Sequence, residues 1–261
     1  VERHVLSWLG CQGLAVPFNQ TFDLTTDALA PVCMQFVGDT PPPSERARQA
    51  ARALAAIHAT TRGRHAELPW LPRADASFVA QWIIETCWRE PWQRVLAGKE
   101  YVDAYGNHWG PAKPGGDFRA EFGAYTQPLE AAAGRFVQAM AELWDEGDSL
   151  TLIHADFHSA HVRTYDSRDY VIDWGFAHYG SFYVDLPNYF SREEALVYRD
   201  ELAKLGHDIP RDTFLARYDA ISPYPGFKYF GLGLWNWCYG DPPHQREHVV
   251  HFVDMVLKSP K

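Results

Sequence analysis

A chain of 261 residues with 46% hydrophobic and 22% charged content is long enough to bury a substantial core, as one large domain or two small ones, so disorder is not the default reading. Its formal charge of −9 argues against non-specific binding to nucleic acid or to an anionic membrane, and favours neutral or cationic partners. Cys11, Cys33, Cys87 and Cys238 have no C-x-x-C spacing, so neither a zinc knuckle nor a dense disulfide scaffold is indicated, and they read as thiols of a reducing compartment.

In chain order, Val5, Leu6 and Leu9 predict a short amphipathic helix over 2–9 that stops at Gly10. This N-terminal stretch lacks the apolar segment and cleavage pattern of a secretory signal. GLAVPF and APVCMQFVG read as short extended segments around a turn-rich insert at 25–27. Three prolines at 41–43 precede Ser44, which predicts an N-capped helix through RARQAARALAAIHA to His58. SFVAQWIIETCWREPWQRVLAG predicts helix at both ends, with Pro91 as a break or a first-turn residue. Residues 101–118 are rich in Gly and Pro and read as loop, and helix resumes over 128–144. A strand over 150–154 follows, then a polar loop, then a hairpin with arms VRTY and YVID joined by the turn DSRD. From Ser191 onward helical patterns dominate, with breaks near 210, 223 and 242. No apolar stretch approaches the length of a bilayer span, since even Tyr229 to Tyr239 is interrupted by Gly, Asn and Cys. A cytoplasmic location follows by elimination.

The chemistry concentrates in one segment. Phosphoryl transfer needs a carboxylate to orient the attacking hydroxyl, and oxygen ligands to hold magnesium on the nucleotide phosphates. His154, Asp156 and position 161 match the kinase spacing H-x-D-x-x-x-x-N, and Asp173 ends the arm YVID ahead of Trp174 and Gly175. The hairpin is expected to bring Asp156 and Asp173 to the same end of a small sheet. A rival metal-dependent hydrolase is kept open, because His154, Asp156 and His158 alternate and would share one face of an extended segment with His161 nearby.

HADFHSAH, VIDWG and GSFYVDL, with Asp185 and Leu186 in the last, resemble the loop, metal motif and following turn of the aminoglycoside phosphotransferase and choline kinase family. RALAAIHA, CMQFVGDTP and ERHVLSWLG resemble its Leu-His helix, its hinge and its glutamate-bearing helix, so the likeness runs in order over nearly the whole chain. It implies an α+β, protein-kinase-like two-lobed fold with a truncated small lobe and a mainly helical large lobe. Residues 1–38 would be the remnant of the nucleotide-binding lobe with the hinge, and 39–261 the helical lobe. By the same resemblance Asp156 is the catalytic base, Asp173 the main Mg2+ ligand with His161 at the second metal position, and Glu2 the partner of an ATP-binding lysine. The backbone at Gln35, Phe36 and Val37 meets the adenine of ATP or GTP, and His154, His158 and Asp185 brace the loop. The acceptor would be a small-molecule hydroxyl of an aminoglycoside, choline, an amino acid or a sugar, a cationic one suiting the charge, in a pocket from residues 75–130 and 190–250.

Two departures accompany the likeness. His161 stands where the pattern has Asn, and magnesium's preference for oxygen makes it read as a non-ligating substitution. The chain begins at Val1, so the glycine-rich loop and the lysine strand are expected to be missing and ATP binding to be weak. A catalytically impaired kinase-fold protein that binds a small molecule or partner therefore stands as the main alternative. The run YFGLGLWNWCYGD has the aromatic content of a quaternary-ammonium cage, but its spacing reads as packed core.

Overall fold

The computed structural model describes residues 1–17, 19–21, 32–34, 36–38, 45–107, 109, 113–241 and 244–258. The turn at 25–27, the prolines at 41–43, the Ser44 cap, Gln35 and the break at 242 lie outside these residues. In chain order the elements are α1 (Glu2–Cys11), β1 (Asn19–Thr21), β2 (Val32–Met34), α2 (Arg46–Thr61), β3 (Arg73–Ala74), α3 (Ala76–Phe78), α4 (Glu90–Leu96), α5 (Phe118–Phe122) and α6 (Thr126–Glu146). They continue with β4 (Leu150–Ile153), β5 (Val162–Tyr165), β6 (Arg168–Val171), β7 (His178–Ser181), α7 (Glu194–Lys204), α8 (Arg211–Ile221), α9 (Pro223–Lys228), α10 (Phe230–Tyr239) and α11 (His244–Leu257). Among the described residues no helix is long and apolar enough to cross a membrane. The chain divides into two compact units, Val1–Arg73 with Gly147–Phe214, and Ala74–Glu146 with Leu215–Lys261.

The first unit carries all the strands named above except the end of β3, and it contains the whole H-x-D segment. Its central helix α2 is rich in strong helix formers and buries Ala50, Ala51, Leu54, Ala55, Ile57 and His58 as one stripe. It runs on to Thr61 because that residue's hydroxyl donates back to Ile57 O at 2.8 Å and accepts from the backbone N–H of Leu152 at 3.2 Å. The end of α2 is thereby fixed to β4, whose Thr151 hydroxyl donates to His58 O at 3.0 Å. β4 pairs antiparallel with β7, with Ile153 opposite His178, and α7 lays Ala195, Tyr198 and Leu202 into the same core.

Several sequence expectations shift. Helix α1 passes through Gly10 to Cys11, because a glycine within a helix removes no hydrogen bond; the chain turns at Gly13, where φ is +76°. The first strand is Asn19–Thr21 and lies just beyond GLAVPF; it pairs antiparallel with Val32–Met34. The β5–β6 hairpin turns on two residues, Asp166 and Ser167, with φ of 49° and 57°, rather than on four. Left-handed geometry at both positions matches the right-handed twist of the flanking strands. The second arm therefore starts at Arg168 and ends at Val171, two residues before Asp173.

The second unit is helical and aromatic. Asp75 and Asp117 each cap a helix start, accepting the backbone N–H of Phe78 at 3.0 Å and of Ala120 at 3.1 Å. From α3 the chain continues through a wider π-wound segment, Val79–Arg89, into α4, where Pro91 sits in the first turn and needs no hydrogen-bond partner. Helix α6 outruns the expected 128–144 at both ends. Trp92 meets Phe118 and Phe230 edge-on at 5.0 and 5.4 Å, and Trp237 meets Phe118 and Phe122, each at 5.4 Å. Phe230 and Trp237 of the α10 run are thus packed core while Trp235 and Tyr239 are half-buried, and Gly233 lets α11 approach, since a Cβ there would stand 2.9 Å from Phe252 Cδ2.

Candidate active site

The site begins where β4 ends and is organised by a buried carboxylate beneath it. Asp185, 1% exposed, accepts the backbone N–H groups of His154 and Ala155, both at 2.7 Å. His58 Nε2 lies 3.2 Å from the same carboxylate, and its Nδ1 lies 2.8 Å from the Tyr198 hydroxyl. Burial raises the Tyr198 hydroxyl well above its usual range, which keeps its proton. Tyr198 then donates to Nδ1, and Nε2–H donates to Asp185. Every member of this chain has a partner, and the Asp185 carboxylate thereby fixes the loop. The family resemblance implies a bracing role for Asp185, while no motif in the sequence marks His58 or Tyr198 as its partners. Their signal was faint: a polar residue within the apolar stripe of α2, and a tyrosine 140 positions away.

His154 stitches the loop to the metal motif, donating from Nε2 to Ile172 O at 2.9 Å. Burial pushes its pKa down to about 4 against the attraction of Asp185, so the ring is neutral near pH 7. Its Nδ1 has no hydrogen-bond partner among the described residues. Ala155 next adopts φ +59°, a left-handed conformation that turns the chain sharply. The segment is therefore not extended, and the alternating set His154, Asp156, His158 does not assemble as the hydrolase reading required.

What does assemble is Asp156, His158 and His161, whose candidate ligand atoms all lie within 4.8 Å of one another. His158 Nδ1 accepts the backbone N–H of Ala160 at 3.2 Å and so caps the turn Ser159–His161. That turn lays the His161 ring 3.7 Å from the His158 ring, centroid to centroid, and 5.0 Å from the His154 ring. His161 is buried; its Nδ1 donates to Asp156 O at 2.9 Å and its Nε2 lies 3.3 Å from Asp173 Oδ2. The two carboxylates seventeen positions apart thus flank one imidazole. Asp173 stands past the strand in left-handed geometry, φ 65° and ψ 60°, with its side chain 59% exposed.

Glu2 reaches the same place from α1, accepting the backbone N–H of Trp174 at 3.3 Å. Of the residues expected to meet the adenine, Val37 is buried, Phe36 is 73% exposed and Gln35 lies outside the described residues. Gly38, at φ +80°, holds this segment against β5, because a Cβ there would collide with the carbonyl oxygen of Thr164. Asp156 and Asp173 offer the oxygen ligands that magnesium takes, while His161 offers nitrogen, so the donor set fits that ion in part.

Solved structures share this architecture. An aminoglycoside phosphotransferase from Alicyclobacillus acidocaldarius subsp. acidocaldarius is 16% identical, with a TM-score of 0.61 over 97% of this chain and 78% of that one. Spectinomycin phosphotransferase in its AMP-bound complex is 15% identical, with a TM-score of 0.58 over 100% of this chain and 84% of that one. A choline/ethanolamine kinase family protein from Mesorhizobium loti is 15% identical, with a TM-score of 0.58 over 99% and 80%. No curated protein matches the sequence. The fold is the kinase-like α+β fold of these proteins, as the motifs implied. The model of the phosphotransferase enzyme family matches residues 2–227, and the chain belongs to that family.

Proposed function

We propose that the chain transfers the γ-phosphate of ATP or GTP to a hydroxyl of a small molecule, with Asp156 as the base. The observation that carries this reading is the position of the His161 ring, which shares a cluster with the Asp156 carboxylate and lies 3.3 Å from Asp173 Oδ2. In the step, the acceptor oxygen bonds to the γ-phosphorus, the bond from that phosphorus to the β,γ-bridging oxygen breaks, and the acceptor proton passes to the Asp156 carboxylate. A divalent cation bound with the nucleotide supplies neutralisation of the phosphate charge. Asp156 orients the hydroxyl, Asp173 and position 161 hold the cation, and Asp185, His154 and His158 keep the loop in shape. Residues 1–38 act as the nucleotide lobe and hinge, with Glu2 positioning its charge beside the metal motif and Phe36 and Val37 meeting the base through their backbone. The remaining residues, 39–261, form the acceptor lobe.

The acceptor class follows from two considerations. Spectinomycin, streptomycin and gentamicin are bound in structures of related fold. The charge of −9 attracts such cationic alcohols and amino sugars. Abundant ATP and four cysteines without paired spacing suit a cytoplasmic setting. A second reading, a binding protein without turnover, draws on His161 at the Asn position. Incubation with γ-labelled ATP, a divalent cation and a panel of aminoglycosides, choline, hydroxy amino acids and sugars separates the two. Label is expected on one acceptor class; saturable acceptor binding with no labelled product on any of them would favour the binder and overturn the transferase.

A further inference from the structure

The turns after β7 grip the loop that bears Asp156 at two places. Asp185 ends the first of them; in the next, the backbone N–H groups of Tyr189 and Phe190 both bond to Leu186 O, at 3.1 and 2.8 Å, and this turn carries Asn188. Asp185 holds the N–H groups of His154 and Ala155 ahead of Asp156, and Asn188 donates from Nδ2 to Phe157 O at 3.0 Å just behind it. A carbonyl only accepts, so the amide nitrogen is the atom that must face it. The Phe157 ring, 1% exposed, stacks 4.9 Å from Tyr189 and 6.2 Å from Phe190. Those ring contacts fix where the side chain lies but not which way the next peptide faces, and the Asn188 hydrogen bond sets that direction. The peptide leads into His158, extended at φ −145° and ψ 174°, which caps Ser159–His161. His161 Nδ1 then returns to Asp156 O at 2.9 Å, a donation the ring makes whether or not its other nitrogen is protonated. The path out from Asp156 and back is thus a closed circuit, and Asn188 holds its outer side.

We propose that Asn188 is a positioning residue for the Asp156 carboxylate: its amide fixes the peptide between Phe157 and His158 and so holds Asp156 at one angle to the acceptor hydroxyl. The kinetic consequence rests on the reading of Asp156 as the base; the effect on the loop does not. Asn188 touches no reacting atom and acts through the backbone. Its loss lets the carboxylate swing without removing it, which misaligns the base in the transition state and leaves substrate binding intact. Two replacements of similar size separate the donor from the shape of this half-buried side chain. Asn188→Asp sets a carboxylate oxygen against the Phe157 carbonyl, and Asn188→Leu fills the space with no donor.

The test uses the 261-residue chain and both variants, with ATP, magnesium and the acceptor that takes label in the panel above. In each variant kcat per folded molecule should fall about 10–100-fold while KM for ATP and for the acceptor stays within about threefold of the parent. A second readout needs neither ligand nor turnover: the backbone carbon-13 shifts of Asp156 and Phe157 should move toward unstructured values, while those of His154, held by Asp185, keep their parental values. Parental kcat in the folded variants would overturn the proposal, as would KM rising as far as kcat falls, or parental shifts at Asp156 and Phe157. Where the carboxylate of Asn188→Asp prevents folding, Asn188→Leu decides. A parent chain that transfers phosphate to no acceptor would reject the transferase reading by itself. The carbon-13 shifts alone then decide this proposal: moved shifts leave Asn188 as the residue that positions Asp156, and parental shifts overturn it.

Discussion

The loop that follows β4 and the aromatic core of the second unit are stabilised in opposite ways. Among the described residues, the non-glycine positions with left-handed backbone are Ala155, Asp166, Ser167 and Asp173, all in the segment that bears the candidate chemistry. In the second unit the positive φ values described fall at Gly98, Gly106 and Gly116, where they carry no side-chain strain. The helical unit is held by ring contacts among elements with no left-handed side-chain-bearing residue described, whereas the loop is held by a few hydrogen bonds that impose an unfavourable backbone shape. Strain of this kind persists only where its surroundings over-determine it, and such places are commonly functional sites.

That contrast is broken most strongly by removing one anchor from each region. Trp92→Ala should destabilise the chain by about 3–5 kcal/mol through the cavity it leaves, and Asp185→Ala by a similar amount, because two buried backbone N–H groups and His58 lose their acceptor. Denaturant titration reads both losses. The difference lies in the site: cation affinity of the still-folded fraction should survive Trp92→Ala and fall in Asp185→Ala. Equal retention in both would mean that Asp185 does not shape the loop.

A smaller effect comes with acid. The unfolded His154 ring takes a proton near pH 6.5, whereas the folded ring takes one only near pH 4, so the unfolded state binds more protons between these values and stability falls as pH drops through that window. Between pH 7 and pH 5 the contribution is about 2 kcal/mol, and His154→Gln should flatten that part of the pH profile. An unchanged slope would place the neutral ring elsewhere. The smallest change is a gain: Ala155→Gly relieves a left-handed alanine and should stabilise by about 1 kcal/mol or less, the extra freedom of the unfolded glycine offsetting part of it. A loss of stability there would contradict the strain at φ +59°.

These positions also mark how far the sequence could be read. The α2 stripe, the β4 strand and the aromatic packing of α10 were legible, because apolar spacing reports which face is buried. The H-x-D spacing located Asp156 and His161, and the second Asp motif located Asp173. Three features were not legible. A left-handed alanine or aspartate carries no letter of its own, so Asp173 was placed on a strand that ends at Val171. The partnership of His58 with Tyr198 joins residues 140 apart and leaves no periodic trace. The contact of His161 Nδ1 with Asp156 depends on where the Asp156 carbonyl points, which the ordering of residues does not disclose.

The role of Asp156 as base is tested by comparing phosphoryl transfer in a matched pair, the parent chain and Asp156→Asn. With the same acceptor, cation and melting temperature, Asp156→Asn should lower kcat by about 100-fold or more, as loss of a general base does. Turnover within a few-fold of the parent would contradict it, and the base would have to be sought elsewhere in the chain.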